Sequence, residues 1–204
     1  MNSFITVGEY ASAEITEKRS RFIAHVYHVA DEAEANRLVA EVKKKYWDAR
    51  HNVYAYVLRE GNVKKYSDDS DPHGTAGPPV LDAIISAGVT DTLVVVTRYF
   101  GGILLGTGGL VRAYTDSAAK GLQAAAKIEY KLHTLGELKC DYGDYGRLQT
   151  IISALDGRVI SSEFGGDVAV QLAVPTENWG AFCKKVEEAF SARLNICEKS
   201  VKYC

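Results

Sequence analysis

Val94–Tyr114 reads VVVTRYFGGILLGTGGLVRAY. Val94, Val95 and Val96 form a β-branched run that predicts a buried strand, with Arg98, Tyr99 and Phe100 at its end. Gly101, Gly102, Gly106, Gly108 and Gly109 follow, and glycine permits positive φ or close backbone approach. Thr107 is placed to cap a helix that runs on from Leu110. A strand, a glycine-rich loop and a helix N-terminus in succession suit an anion, because free N–H groups and the positive helix end converge on one point. Arg98 and Arg112 add fixed charge beside it. The competing reading is mechanical: glycines also let a helix pack close to a strand with no ligand. The spacing is neither the dinucleotide GxGxxG nor the phosphate-loop GxxxxGK[ST].

Outward from this stretch, Asp91–Tyr99 is the strand and the following helix extends to about Lys127, with Leu110, Tyr114, Ser117, Ala118, Gly121, Leu122 and Ala125 as its packing stripe. Upstream, Ser12–Lys18 and Ser20–Val29 pair as strands. Asp31 with Glu34 is an acidic capping box opening a helix whose apolar stripe is Ala35, Leu38, Val39, Val42 and Tyr46. His51–Arg59 and Val63–Ser67 form a hairpin, Asp68–Pro79 is a loop of turn residues, and Val80–Ala87 is a helix stopping at Gly88. After Lys131 the pattern restarts. Strand His133–Asp141, helix Tyr142–Leu155, strands Arg158–Phe164 and Val168–Val174, a helix from Thr176 to Phe190 and strand Leu194–Tyr203 give the order β-α-β-β-α-β of a ferredoxin-like domain. The predicted organisation is α+β in two domains, 1–132 and 133–204.

Composition restricts the function classes. The 204 residues are 47% hydrophobic and 25% charged, ordinary for a folded domain pair. Residues 1–132 carry 16 basic and 16 acidic side chains, and 133–204 carry 8 and 10. Nucleic-acid contact therefore requires a local patch rather than a global field. No apolar run is long enough for a membrane span, and the first residues lack the pattern of an export signal. The chain reads as cytoplasmic, with no membrane partner. Cys140, Cys183, Cys197 and Cys204 are far apart and read as free thiols. The five histidines are scattered and no metal site is read.

The loop SDDSDPHGTAG, Ser67–Gly77, is the second candidate. Asp68, Asp69 and Asp71 suit Mg²⁺ or base chemistry, and Thr75 with Gly74 and Gly77 suits a backbone nest. The alternative is a turn whose acids cap local N–H groups. Lys18, Arg19 and Arg21, with Tyr27, Tyr54, Tyr56 and Tyr66, make a basic and aromatic mix that fits stacked bases and phosphates. The same tyrosines also fit half-buried strand positions. Asp48, Arg50 and His51 open a strand. A His near an Asp suits a general base, but no nucleophile motif accompanies it, and a hydrogen-bonded structural histidine is the simpler reading. Arg112 is spaced to pair with Asp116.

Four segments together carry a resemblance. KRSRFIAHV (Lys18–Val26), ARHNVYAYV (Ala49–Val57), DDSDPHGTAGPPVL (Asp68–Leu81) and RYFGGILLGTGGLVRAY (Arg98–Tyr114) resemble the IMPACT family, in its bacterial YigZ-type branch. The resemblance implies an N-terminal domain with the ribosomal protein S5 domain 2-like fold. It also implies a C-terminal ferredoxin-like domain similar to the last domain of elongation factor G. Eukaryotic relatives regulate translation initiation under stress, in part through a further N-terminal domain for which this chain has no room. The family's acidic loop reads DDGEPSGTAG; here Ser70, Asp71 and His73 replace its Gly, Glu and Ser.

These observations give three expectations. The first is a translation-associated regulator that binds RNA or a ribosomal component without catalysis or cofactor. Arg98, Arg112 and the Gly101–Gly109 amides would sit on phosphates, and Lys18, Arg19 and Arg21 would extend the patch. The second is a nucleotide- or phosphate-dependent enzyme using the same loop. The third is a protein-binding adaptor using a sheet face of Ile23, Tyr27, Tyr54 and Tyr56.

Overall fold

The computed structural model describes residues 2–203. Its elements run β1 (Ser3–Val7), β2 (Ala11–Glu17), β3 (Ser20–His28), α1 (Glu32–Lys45), β4 (His51–Leu58), β5 (Val63–Ser67), α2 (Gly77–Ser86), β6 (Thr92–Tyr99) and α3 (Thr107–Ala124). The long β7 (Lys127–Cys140), α4 (Tyr142–Ser153), β8 (Arg158–Phe164), β9 (Val168–Pro175), α5 (Trp179–Phe190) and β10 (Cys197–Tyr203) follow. Two compact units result: Ile5–Glu129, and a second made of the residues up to Phe4 and from Tyr130 onward.

In the first unit the strands form an antiparallel sheet in the order β2-β3-β6-β4-β5. The valine run lies at its centre, and Val94, Val95 and Val96 are fully buried because both faces are covered. On one face Phe22, Ala24, Val26, Val53, Ala55, Val94 and Val96 meet α2 and α3. On the other, Tyr56, Leu58, Leu93 and Val95 meet Ala35, Val39 and Val42 of α1. Each of the valine, leucine and phenylalanine side chains contributes roughly 1.5–3 kcal/mol by burial. The capping box forms: Asp31 Oδ1 accepts from Glu34 N at 2.8 Å, and Glu34 Oε2 accepts from Ala30 N at 2.9 Å.

The cover over the second face corrects the adaptor expectation. Strand alternation puts Ile23, Tyr27, Tyr54 and Tyr56 on one side, but the face is closed. Tyr56 is 1% exposed and donates to Glu32 Oε2 at 2.9 Å, while Ile23, Tyr27 and Tyr54 are half-buried. Of the tyrosines proposed to stack bases, only Tyr66 stays exposed.

The second unit has strand order β10-β7-β9-β8, all antiparallel, in the chain order β-α-β-β-α-β. This is the ferredoxin-like arrangement. Leu138, Val168, Val170, Leu172 and Val174 face Leu148 and Ile152 of α4 and Phe182, Val186 and Phe190 of α5. Thr176 does not cap α5; it accepts from the Thr134 hydroxyl at 3.1 Å and the helix begins at Trp179.

The strand β1 is absent from the sequence reading, and it pairs with β7. Leu132 N donates to Asn2 O at 2.7 Å, and Phe4 packs on Tyr130 and Tyr203 with ring centroids 5.2 and 4.9 Å apart. The residues up to Phe4 thus group with the second unit rather than with 5–129. Cys140, Cys183 and Cys197 are free thiols; Cys204 lies outside the described residues. No helix among the described residues is long and apolar enough to cross a membrane.

Candidate functional site

The inward-facing row of the first sheet ends in polar residues. In register, Phe22 on β3 lies beside Arg98 on β6, and Arg98 beside His51 on β4. One step further into the core the same row holds Ala24, Val96 and Val53. A guanidinium at the end of an apolar row must be paired, and Asp71 from the loop after β5 supplies the pair. Arg98 Nη1 donates to Asp71 Oδ1 at 2.6 Å, with Arg98 6% and Asp71 7% exposed. The fully buried Tyr114 on α3 donates its hydroxyl to Asp71 Oδ2. Burial, and then the Asp71 carboxylate, push the Tyr114 phenol far above its usual range, so it acts only as a donor. His51 completes the group: its Nδ1 lies 2.8 Å from the Asp69 carbonyl, and its Nε2 lies 3.4 Å from Asp71 Oδ1.

These residues floor a cleft of about 1190 Å³. Its walls come from the start of β4, the Ser70–Pro72 turn, the end of β6 and the first turn of α3; Asp48, Arg50, Phe100, Leu104 and Thr107 are among the lining residues. The helix wall differs from the expected one. Thr107 is the first helical residue rather than the cap; Gly106 is the N-cap, at φ +72°, and no side chain caps the helix. The first bond onto the cap is Leu110 N to Gly106 O, 2.9 Å. The amides before it, on the exposed Thr107 and Gly108 and on Gly109, therefore point out of the helix start unclaimed by any side chain. Arg98 Nε is buried and without a hydrogen-bond partner. Its guanidinium carbon lies 5.6 Å from the Phe22 ring centroid and 6.0 Å from that of Phe100. The uncapped helix start and the Asp71-paired Arg98 thus border one space.

Gly101 fixes the loop between them. A Cβ there would collide with the backbone of Arg19 and Ser20, and its N–H donates to Ser20 Oγ at 3.1 Å. This approach sets the glycine loop against the β2–β3 turn. That turn is made by Lys18 and Arg19, both at positive φ (45° and 68°), and both side chains are exposed.

The other expected site residues have more local roles. Arg98 is a paired core residue, not a free phosphate ligand. Arg21 is held by Glu14 through two 2.9 Å hydrogen bonds and lies 5.5 Å from the Tyr99 ring centroid. Arg112 is exposed, makes no ion pair with Asp116 among the described residues, and does not line the cleft. Gly102, at φ +82°, is an exposed turn residue.

The acidic loop does not gather its carboxylates. Asp68 accepts from the amides of Gly74, Ala76 and Gly77 at 2.9, 3.0 and 2.7 Å. The nest expected at Gly74, Thr75 and Gly77 is therefore filled by the chain's own carboxylate, and the Thr75 hydroxyl donates to Pro72 O at 2.6 Å. Burial pushes the Asp68 carboxyl up, but the amides of Gly74, Gly77 and Ala76 outweigh it and hold it below its ordinary value. Asp69 pairs with Lys43 Nζ and accepts from Asn52 N, each at 2.6 Å. No group of three His, Cys, Asp or Glu side chains among the described residues is arranged to hold a metal.

Sequence reasoning placed Arg50 and Phe100 at strand ends without giving either a part in binding, did not single out Leu104, and placed Tyr114 only in a packing stripe. A phenol in a helix face otherwise built of small and aliphatic residues was the available signal for Tyr114.

Comparison with known proteins agrees with the resemblance. The Impact N-terminal domain matches residues 18–122, and a domain of unknown function, DUF1949, matches 138–193. The IMPACT family member YvyE of Bacillus subtilis (strain 168) is 35% identical over 204 residues, covering 100% of this chain and 94% of that protein. Protein IMPACT of Rattus norvegicus is 36% identical over 98 residues, 46% of this chain and 31% of its own length. A crystal structure of a hypothetical protein is 30% identical, with a TM-score of 0.63 over 98% of each chain.

Proposed function

The chain belongs to the IMPACT family, and from that premise we propose that it is a translation-associated regulator that binds RNA or a ribosomal component through phosphates held in this cleft. The carrying observation is that the uncapped start of α3 and the exposed Arg50 border the same cavity. Bare helix amides and the helix dipole favour an oxyanion. Exposed Arg50 lines the cleft, and exposed Lys18 and Arg19 stand on the turn that abuts Gly101. Arg50, Lys18 and Arg19 thus take the part expected of Arg98, Arg112 and Arg21.

Cosedimentation with ribosomal particles at low and high salt, alongside RNA titrations, tests this reading. Affinity should fall steeply with salt. Arg50→Ala should weaken binding and shallow the salt slope by roughly 0.7–0.9 for each phosphate it leaves without a neutralising charge. Salt-independent binding, or no effect of Arg50→Ala, overturns it.

One observation favours a second reading, an enzyme acting on a phosphorylated small molecule. His51 is oriented through Nδ1, and its Nε2 lies on the cleft floor beside Asp71. A nucleotide panel in a thermal-shift assay distinguishes the two, since a ligand at 100 times its Kd stabilises by about 2.7 kcal/mol.

A further inference from the structure

The wall of the cleft between the guanidinium and the helix start is apolar and uncovered. Phe100 is 48% and Leu104 82% exposed, and both line the cavity with Gly106 and Thr107. Ile103, between them in sequence, is 41% exposed. Large apolar side chains exposed in succession on a loop mark a binding surface. Here they adjoin the phosphate-binding groups. We propose that the cleft takes unpaired RNA, with a phosphate at the start of α3 and the adjoining base laid on Phe100 and Leu104.

The inference rests on the phosphate-binding reading and adds the strand's form. In an A-form duplex the base faces are stacked inside and only backbone and groove edges meet a protein. A duplex could satisfy the amides of Thr107, Gly108 and Gly109 but would leave Phe100 and Leu104 in water. An unpaired strand offers a π-face beside each phosphate, and base stacking on aromatic side chains is tolerant of sequence. Phe100 has the Arg98 guanidinium 6.0 Å from its ring centroid and nearly half of its surface free, the setting of a stacking platform. A protein segment also fits an apolar wall, but the exposed Arg50 on the lining and a positive helix end favour an anionic polymer.

The test is anisotropy with an unstructured RNA of about 12 nucleotides, within the usual site size, against the same sequence annealed to its complement and against AMP. The expected result is single-strand binding about tenfold tighter than duplex. Phe100→Ala should weaken single-strand binding about tenfold, and Leu104→Ser less. The salt slope should stay unchanged in both, because neither side chain neutralises a phosphate. Leu104 is so exposed that Leu104→Ser keeps the fold, and melting curves of both variants check this. Equal binding of the duplex overturns the inference and leaves the phosphate reading standing. AMP binding as tightly as the strand does the same, and makes the cleft a small-nucleotide site. Binding of none of the three ends both.

Discussion

The helices α2 and α3 start alike in sequence and differently in structure. Each follows a loop that contains glycine at positive φ, Gly74 before α2 and Gly102 and Gly106 before α3, and neither has an acidic residue in its first turn. At α2 the Asp68 carboxylate takes three backbone amides; at α3 no side chain takes any. Burial explains the difference. Ala76 and Gly77 are buried, so their amides must be satisfied by the chain itself, whereas Gly106, Thr107 and Gly108 are exposed and water suffices. The chain has thus satisfied one helix start from within and left the other without a side-chain cap. The filled start shows what the proposal asks of the other: an oxyanion about 2.7–3.0 Å from several N–H groups.

Four substitutions sharpen or break this contrast. The largest effect belongs to Asp71→Ala, which leaves the Arg98 guanidinium buried without its partner. Urea unfolding should show a destabilisation on the order of 3–5 kcal/mol. A smaller effect than that of Asp68→Ala would mean that the cleft floor is not a structural pair. Asp68→Ala comes next, at roughly 2 kcal/mol, since it strips a cap serving several amides.

Asp68 also predicts a pH dependence. Its carboxyl is held below the ordinary value of 3.8. The stabilisation is therefore complete above that value and is lost as pH falls through the lower native one. Asp68→Asn should flatten that part of the acid unfolding curve; an unchanged curve removes the assignment. The smallest effect on stability is that of Thr107→Glu, which gives α3 the first-turn charge it lacks. It should stabilise by about 0.5 kcal/mol while weakening RNA binding at low salt. Unaltered RNA affinity would mean that the start of α3 is not where phosphate sits.

Much of the fold was legible because its signals are local. The valine run and the Asp31/Glu34 box each act within a few residues, and in the second unit the β-α-β-β-α-β order is carried by short strand and helix patterns in succession. The strand β1 was not legible, since its partner β7 lies far along the chain and no local pattern names it. At the site, the glycine loop and the following helix could be read, but the pairing of Arg98 with Asp71 could not. Asp68, Asp69 and Asp71 look equivalent in sequence; only the fold sends one to a helix cap, one to Lys43 and one under the sheet end. Similarly, Lys18 and Arg19 read as a charge cluster and are also a two-residue turn with positive φ. Glycine and asparagine ordinarily mark such turns, so the chemistry of these two residues hid their geometry.

The strand β1 divides the order of events during synthesis. Ile5–Val7 find partners within the first unit: Thr90 N donates to Ile5 O, Thr6 bonds His28, and Val7 lies in the first core. Asn2 and Phe4 instead meet Leu132, Tyr130 and Tyr203, which are made only after the whole of the first sheet. At about 5–20 residues per second these two positions wait on the order of ten seconds for their partners. One short strand is thus completed in two stages, its second half with the first unit and its first half only with the second.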